Sequence, residues 1–265
     1  MTPSGSRITD HGSRPFTPCV VVPVYDHEGA LPQLVERLRG TGLTCWLIDD
    51  GSHPPCARLI AQLAEANASW LRRVRLDPNQ GKGAAVFVGL RAALAEGFTH
   101  AVQIDADLQH RPEEIARFVA AAQARPDAII NGVPQYDASV PAVRLHGRRI
   151  TTVLVWVHTL SRQIADAMCG FRLYPIAAAV ALDDRAPVGR RMEFDADVIV
   201  RLFWAGTPVV NVPTPVTYPA DGVSHFRMLR DNLRMTRLHL RLGAGMLIRL
   251  PWLLSRRLRG LAPYQ

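Results

Sequence analysis

"THAVQIDADLQH", residues 99–110, begins as an inner strand and ends as something else. Ala101, Val102 and Ile104 are apolar, and Asp105 and Asp107 follow at once with only Ala106 between them. Side chains on an extended backbone alternate with a period of two, so both carboxylates fall on one side. Held that close, they repel unless a proton or a cation sits between them. A hard divalent ion, Mg²⁺ or Mn²⁺, resolves the conflict, because it takes a few carboxylate oxygens, keeps waters and completes its shell with substrate phosphates. Gln109 offers a neutral oxygen one step further on, so the expected ligands are Asp105, Asp107 and Gln109, with His110 as helper or support. A helix N-cap before "RPEEIARF" accounts for Asp107 alone, but not for two aspartates and a glutamine after a buried strand.

Outward from this stretch the chain alternates. "CVVVPVY" (19–25) is a short apolar run, followed by helical spacing from Leu31 to Leu38. "TCWLIDDGS" (44–52) and residues 57–67 repeat the pair, as do "WLRRVRL" (70–76) and "GAAVFVGLRAALAEG" (83–97). A helix at 113–124 and a strand at "DAIING" (127–132) continue the pattern. Strands alternating with helices of this length predict an α/β fold, Rossmann-like, with a mostly parallel central sheet and helices on both faces. The second half is less regular, with a helix at about 143–160, "CGFRLY" (169–174), a helix near 176–182, "MEFDADVIVRLFWAG" (192–206) and proline-broken strands in "VVNVPTPVTYP" (209–219). No linker divides it, so one domain is expected over 19–220, after a flexible start at 1–18 and before a basic helical tail at 221–265.

Composition fits that reading. The chain has 265 residues, 48% hydrophobic and 20% charged, which suits a soluble globular protein with a sizeable core. "MTPSGSRITDHGSRPFTP" (1–18) lacks the apolar centre of a secretory leader and reads as a cytosolic start. Cys19, Cys45, Cys56 and Cys169 form no CxxC pair, so reduced packing cysteines are expected rather than disulfides or zinc ligands. The net charge of +8 is concentrated: residues 221–265 hold nine arginines and two aspartates, while the rest of the chain is nearly balanced. Lys82 is the single lysine among 31 basic residues, and it stands in a glycine-rich turn.

In an open α/β sheet, ligands gather at the carboxyl ends of the strands. Those ends read "PVYDHE" (23–28), "IDDGS" (48–52), "NQGKG" (79–83) and "DADLQH" (105–110). Asp49 and Asp50 can accept from a nucleoside or form an Asx turn closed by Gly51. "NQGKGAA" can turn its N–H groups and Lys82 towards a phosphate, although the Walker A spacing is absent. Tyr25 offers a wall for stacking or simple packing. Glu193, Asp195 and Asp197 crowd a helix start, where capping uses one and leaves another as general base.

Together, "VVPVYDHE", "LIDDGS", "NQGKGAAVFVGL", "DADLQH", "CGFRLY" and "FDADVIVRL" resemble, in order, the family-2 glycosyltransferases of GT-A fold, of the dolichol- or polyprenyl-phosphate mannose synthase type. The resemblance implies that Asp105, Asp107 and Gln109 hold the metal on a nucleoside diphosphate. It implies that Pro23, Tyr25, His27, Asp50 and Lys82, with the backbone near Ile48 and Ala106, cradle a GDP- or UDP-linked sugar. Arg148, Arg149 and Arg172 become candidates to meet the diphosphate or the acceptor. "DGVSHFR" (221–227) falls where such enzymes carry a basic closing loop, with His225 at a usual lysine position and Arg227 and Arg230 nearby.

There are departures. His27 takes the glutamate position of the family's "PVYNE", Cys169 replaces the serine of "SGFR", and after "IING" no arginine follows until Arg144. The tail resembles that of short bacterial members associated with lipid or aryl-polyene assembly. The implied reaction is inverting transfer to a lipid or polyprenyl-phosphate acceptor; a lipid phosphate is already an anion, whereas a hydroxyl needs Asp195 or Asp197 as base. Rival readings are a sugar-nucleotide nucleotidyltransferase and a non-catalytic nucleotide-sugar-binding protein. The first would want a glycine-rich, arginine-bearing loop after the first strand, which "PVYDHEGALPQL" does not supply.

The tail has no apolar run near the ~20 residues needed to span a bilayer, and "AGMLIRLPWLL" (244–254) is interrupted by Arg249. Read as a helix, Arg227, Arg230, Arg234, Arg237 and Arg241 share an arc of roughly 80°, flanked by Leu229, Leu233 and Leu240. Trp252, Leu253 and Leu254 adjoin Arg256, Arg257 and Arg259. Such a stripe suits an interfacial helix on anionic lipid at the inner face of the plasma membrane, or else a helix packed on the body or on a second copy. Nucleic acid is not an expected partner, because aromatic interleaving is sparse and the body offers no basic surface.

Overall fold

The computed structural model describes residues 15–137, 140, 142–217 and 228–258. The first elements follow the predicted alternation: β1 (Pro18–Val24), α1 (Leu31–Arg39), β2 (Cys45–Asp50), α2 (Pro54–Ala66), β3 (Leu71–Leu76), α3 (Lys82–Ala95), β4 (His100–Gln103), α4 (Ile115–Ala124) and β5 (Ile129–Tyr136). In α1 the buried residues are Leu31, Leu34, Val35 and Leu38, an i, i+3, i+4, i+7 stripe that lays one face on the sheet. Helix α3 is buried almost all round. Gly89 permits this, because a side chain there would run into Val21 and Ile48 of the sheet beneath.

The second half adds α5 (Ala142–Thr159), β6 (Arg172–Pro175), α6 (Ile176–Arg185), α7 (Phe194–Trp204), β7 (Val209–Val216) and α8 (Met228–Leu258). The seven strands form one sheet in the order β3-β2-β1-β4-β6-β5-β7. All neighbours are parallel except β6, which runs antiparallel to both β4 and β5. The reason lies in residues 160–171, which return the chain to the carboxyl edge of the sheet before β6 starts, so Arg172 pairs with Gln103 at the end of β4. The expected single α/β domain, with a largely parallel sheet flanked by helices and a basic C-terminal helix, is what forms.

Two cores fill the two faces of the sheet. One gathers Leu31 and Leu34 of α1, Ile60 of α2 and Phe118 of α4. The other gathers Phe87 of α3, Ala179 of α6, Ile199 of α7 and Leu238 and Leu242 of α8. All four cysteines are free and buried. Among the described residues, no helix is long and apolar enough to cross a membrane.

Helix α8 packs on the body through one face. Leu238, Leu242 and Leu253 are buried, Asp231 is buried and bonded to Arg234 at 2.7 Å, and Arg241 Nη2 reaches Asp197 Oδ2 of α7 at 2.5 Å. The predicted arginine stripe is therefore divided. Arg234 and Arg241 pair with acids, Arg230 and Arg237 are exposed, and Arg227 lies outside the described residues.

Candidate functional site

The strand order places the sheet's switch point between β1 and β4, whose connections leave on opposite sides and open a crevice at their carboxyl ends. Asp105, Ala106 and Asp107 follow β4 there. Asp105, Asp107 and Gln109 line one cleft together with Tyr136, Arg148 and Gly170. Ala106 is buried and anchors the turn, while Leu108 takes a left-handed conformation at φ 59°. Gln109 N–H donates to Asp107 Oδ1 at 3.1 Å, so the loop holds that carboxylate from behind.

Lys82 organises the charge. Its Nζ donates to Asp105 Oδ2 and to Asp195 Oδ2, each at 2.8 Å. Burial works to lower the Lys82 pKa, but the two carboxylates outweigh it and hold the ammonium charged. Burial likewise works to raise Asp105, and Lys82 more than offsets it, keeping that carboxylate ionised. Asp195 is extended further into the core: Gln103 Nε2 donates to its Oδ1 at 3.3 Å, and Tyr174 O–H donates to Gln103 at 3.0 Å. Arg172, fully buried, donates to the Asp195 carbonyl and to Asn131 Oδ1.

Two features of the acids fit a hard dication. Asp105 Oδ1 is buried without a hydrogen-bond partner. Asp107 is pushed up to about 6, first by burial and then by the Asp105 charge beside it, so its anion is only partly compensated by the Gln109 N–H. With Gln109 in the same cleft, the donors are oxygens of the kind that Mg²⁺ or Mn²⁺ prefers. His110 is pushed down to about 4 by burial, which keeps it neutral; it rests on Phe171 and stands 3.7 Å from Cys169 Sγ. A second set, Asp26 and Glu28 from the β1–α1 connection and Cys56 from the start of α2, has ligand atoms within 4.8 Å of one another.

The other expected residues divide into groups. Pro23 stands level with Ile48 in the β1–β2 pairing, and the Tyr25 ring lies 6.4 Å from that of His53. His27 lies near enough that its charge favours ionised Asp105. Asp50 is nearly fully buried and accepts from Gln80 N–H, Gly81 N–H and Asn79 Nδ2 at 2.7 to 2.9 Å, so it holds the 79–81 turn. The N–H groups of Gly83 and Ala84 donate to Arg190 C=O, so that part of the glycine-rich turn is engaged within the protein. Arg148 is gripped by Asp166 through two 2.9 Å bonds and lies 5.6 Å over the Tyr136 ring. Arg149 is exposed.

Asp195 and Asp197 differ by two positions on a helix, which turns them to nearly opposite sides of α7. Asp197 has no solvent exposure and accepts from Gly189 N–H, Arg201 and Arg241. It joins α7 to α8 rather than facing the cleft. His225 lies outside the described residues.

Sequence reasoning did not single out Asp166, Tyr136 or Gly170, although Gly170 sits within "CGFRLY". A Cβ on Gly170 would stand 2.5 Å from Lys82 Nζ and closer still to Asp105 Oδ2. Gly170→Ala is therefore expected to part the Lys82–Asp105 pair, costing about 1–3 kcal/mol. A lower urea midpoint together with weaker Mn²⁺ binding checks this, and a variant matching the wild type in both refutes it.

A model of glycosyl transferase family 2 matches residues 19–179. An undecaprenyl-phosphate 4-deoxy-4-formamido-L-arabinose transferase of Klebsiella pneumoniae is 31% identical over 161 residues, covering 58% of this chain and 47% of that protein. The chain thus spans about half the length of such relatives. A polyprenol monophosphomannose synthase of Mycolicibacterium smegmatis is 29% identical over 249 residues, covering 88% of this chain and 91% of the relative. Among solved structures, S. aureus TarS 1–349 in complex with UDP-GlcNAc aligns over 86% of this chain and 66% of that one, with a TM-score of 0.57 and 15% identity. That likeness concerns the fold.

Proposed function

Because the chain belongs to glycosyl transferase family 2, we propose that it moves a sugar, with inversion, from a nucleoside-diphosphate donor to a polyprenyl-phosphate or related lipid acceptor. The observation that carries this reading is the pair Asp105 and Asp107 at the β4 end, with one buried carboxylate oxygen unpartnered and one carboxylate held above its usual range by burial and its neighbour. A dication held by Asp105, Asp107 and Gln109 supplies positive charge beside a departing diphosphate. The nucleoside lies along the β1–β2 edge near Pro23, Tyr25 and Ile48.

The placement of the acids favours a phosphate acceptor over a hydroxyl. Asp195 is tied to Lys82 and Gln103, and Asp197 is sealed between two arginines, so neither stands ready in the cleft to take a proton. A phosphate is already ionised and needs no base. Arg148, fixed by Asp166 at the cleft wall, keeps its charge and can orient such an anion. Two relatives are named for undecaprenyl phosphate and for polyprenol monophosphomannose, which supports the same acceptor class. On this reading the protein works as a peripheral protein at the cytoplasmic face of the plasma membrane.

Calorimetry with UDP and GDP tests the donor half. One of the two is expected to bind at least tenfold more tightly with Mn²⁺ or Mg²⁺ than with EDTA. A panel of nucleotide sugars is then offered a short-chain polyprenyl phosphate and the matching alcohol. Transfer to the phosphate alone is the expected result. Absence of affinity for every nucleoside diphosphate, with either metal, rejects the proposal.

A further inference from the structure

Two helices on one flank of the molecule show apolar residues on the side turned away from the core. In α5, Ile150, Val153 and Val157 are exposed at spacing i, i+3, i+7, while Val155 and Thr159 are buried. In α8, Leu233, Leu240, Leu247 and Leu254 recur every seven residues and are all exposed, Leu240 by 71% and Leu247 by 63%. A seven-residue spacing keeps side chains on one slowly drifting stripe. Leu240 stands about 160° around the helix from buried Leu238 and Leu242, so the stripe points straight outward.

The helices meet along their flanks. His158 of α5 and His239 of α8 stack at 5.4 Å between ring centroids, with Nε2 and Nδ1 3.2 Å apart. With the cores beneath and the contact at the side, the two apolar stripes adjoin on one surface. Contiguous exposed apolar area of this kind marks an interaction site.

Charge identifies the partner. Helix α5 contains no acidic residue, and the single acid of α8, Asp231, is buried against Arg234. Arg149, Arg230, Arg237 and Arg249 are exposed on the same helices. A second copy of this chain docking through the same face would bring arginine against arginine with no carboxylate from either helix between them. An anionic lipid surface meets both the leucines and the arginines.

We propose that the joined outer faces of α5 and α8 dock on an anionic lipid bilayer, with the leucine stripe and Ile150, Val153 and Val157 entering the acyl boundary and Arg149, Arg230 and Arg237 at the headgroups. This differs from an arginine-stripe contact, since Arg234 and Arg241 are turned to Asp231 and Asp197 and serve to hold α8 on the body. The surface stands whether or not the sugar-transfer reading does, because none of its residues lines the cleft.

Co-sedimentation of the full chain with vesicles of phosphatidylglycerol and phosphatidylethanolamine, and with pure phosphatidylcholine, tests it. The wild type is expected to bind the anionic vesicles at least tenfold more tightly. L240E/L247E and I150E/V157E should each lose at least tenfold in that binding while keeping the wild-type melting temperature and Mn²⁺ affinity, since all four positions face outward. R230Q/R237Q should bind less at low salt. Failure of the wild type to bind anionic vesicles overturns the proposal. So does wild-type binding by both glutamate pairs, or a lipid-free dimer that those pairs dissolve.

Discussion

Lys82→Met is expected to lower the free energy of unfolding by about 3–5 kcal/mol, the usual cost of leaving a buried charge without its partner. Two carboxylates depend on this one ammonium: Asp105 and Asp195 both accept from Lys82 Nζ. No other cation is bonded to either carboxylate among the described side chains, and Gln103 offers Asp195 only a neutral amide. Methionine fills the space but leaves both acids without the ammonium they share. In the variant they are relieved only by taking up protons, so the deficit should shrink as pH falls and grow towards neutrality. Urea unfolding at pH 5 and pH 8 reads this directly. The double variant K82M/D195N should recover part of the loss. Equal stability of K82M and wild type at pH 8 would show that Lys82 does not hold the site together.

The second large effect is on activity. Asp107→Asn should reduce transfer by about 10²–10⁴-fold, the several kcal/mol that a bound dication contributes. The same change should stabilise the metal-free protein at neutral pH. Asp107 titrates near 6 in the fold against an ordinary carboxylate value of 3.8. A raised carboxylate pKa contributes stability that is complete below the unfolded value and is lost as pH rises through the folded one. Above pH 6 the wild type therefore carries an ionised Asp107 beside Asp105, and asparagine removes that charge, with a gain on the order of 1–3 kcal/mol. Melting with EDTA from pH 4.5 to 8 should show the wild type losing stability relative to D107N as pH rises to about 6 and holding a constant deficit above it. A variant that is both active and no more stable would remove Asp107 from the metal set.

Much of the fold was legible because its signal is local. The i, i+3, i+4 stripe of α1 and the apolar runs of β1, β2 and β4 each occupy a few consecutive residues. "DADLQ" was legible because its two carboxylates stand close together directly after an apolar strand, although the fold ends β4 at Gln103 and carries Asp107 in the turn beyond it rather than in extended strand. The direction of β6 was not, because a four-residue strand reads alike in either sense and only the path of residues 160–171 sets it.

The candidate site shows the same division. That Lys82 is single and lies in a glycine-rich turn is visible in the chain, but its partners come from the end of β4 and the first turn of α7. Asp195 and Asp197 look equivalent in "FDADVIVRL", yet the helix turns one to Lys82 and the other to Arg201 and Arg241. Asp50 reads either as a nucleoside contact or as part of an Asx turn, and in the fold its oxygens accept from the 79–81 turn.

Residue order alone settled the alternation of strand and helix, the clustering of polar ends at one edge of the sheet, and the paired acids that follow β4. The alternation depends on periodicities of two or 3.6, and the polar ends and paired acids on nearness along the chain, none of which needs a distant partner. Which carboxylate meets a cation, which arginines turn inward and which leucines of α8 are left facing out depended on segments far apart in the chain. Ion pairs and burial are properties of the assembled surfaces, and those exist only once the sheet has brought its helices together.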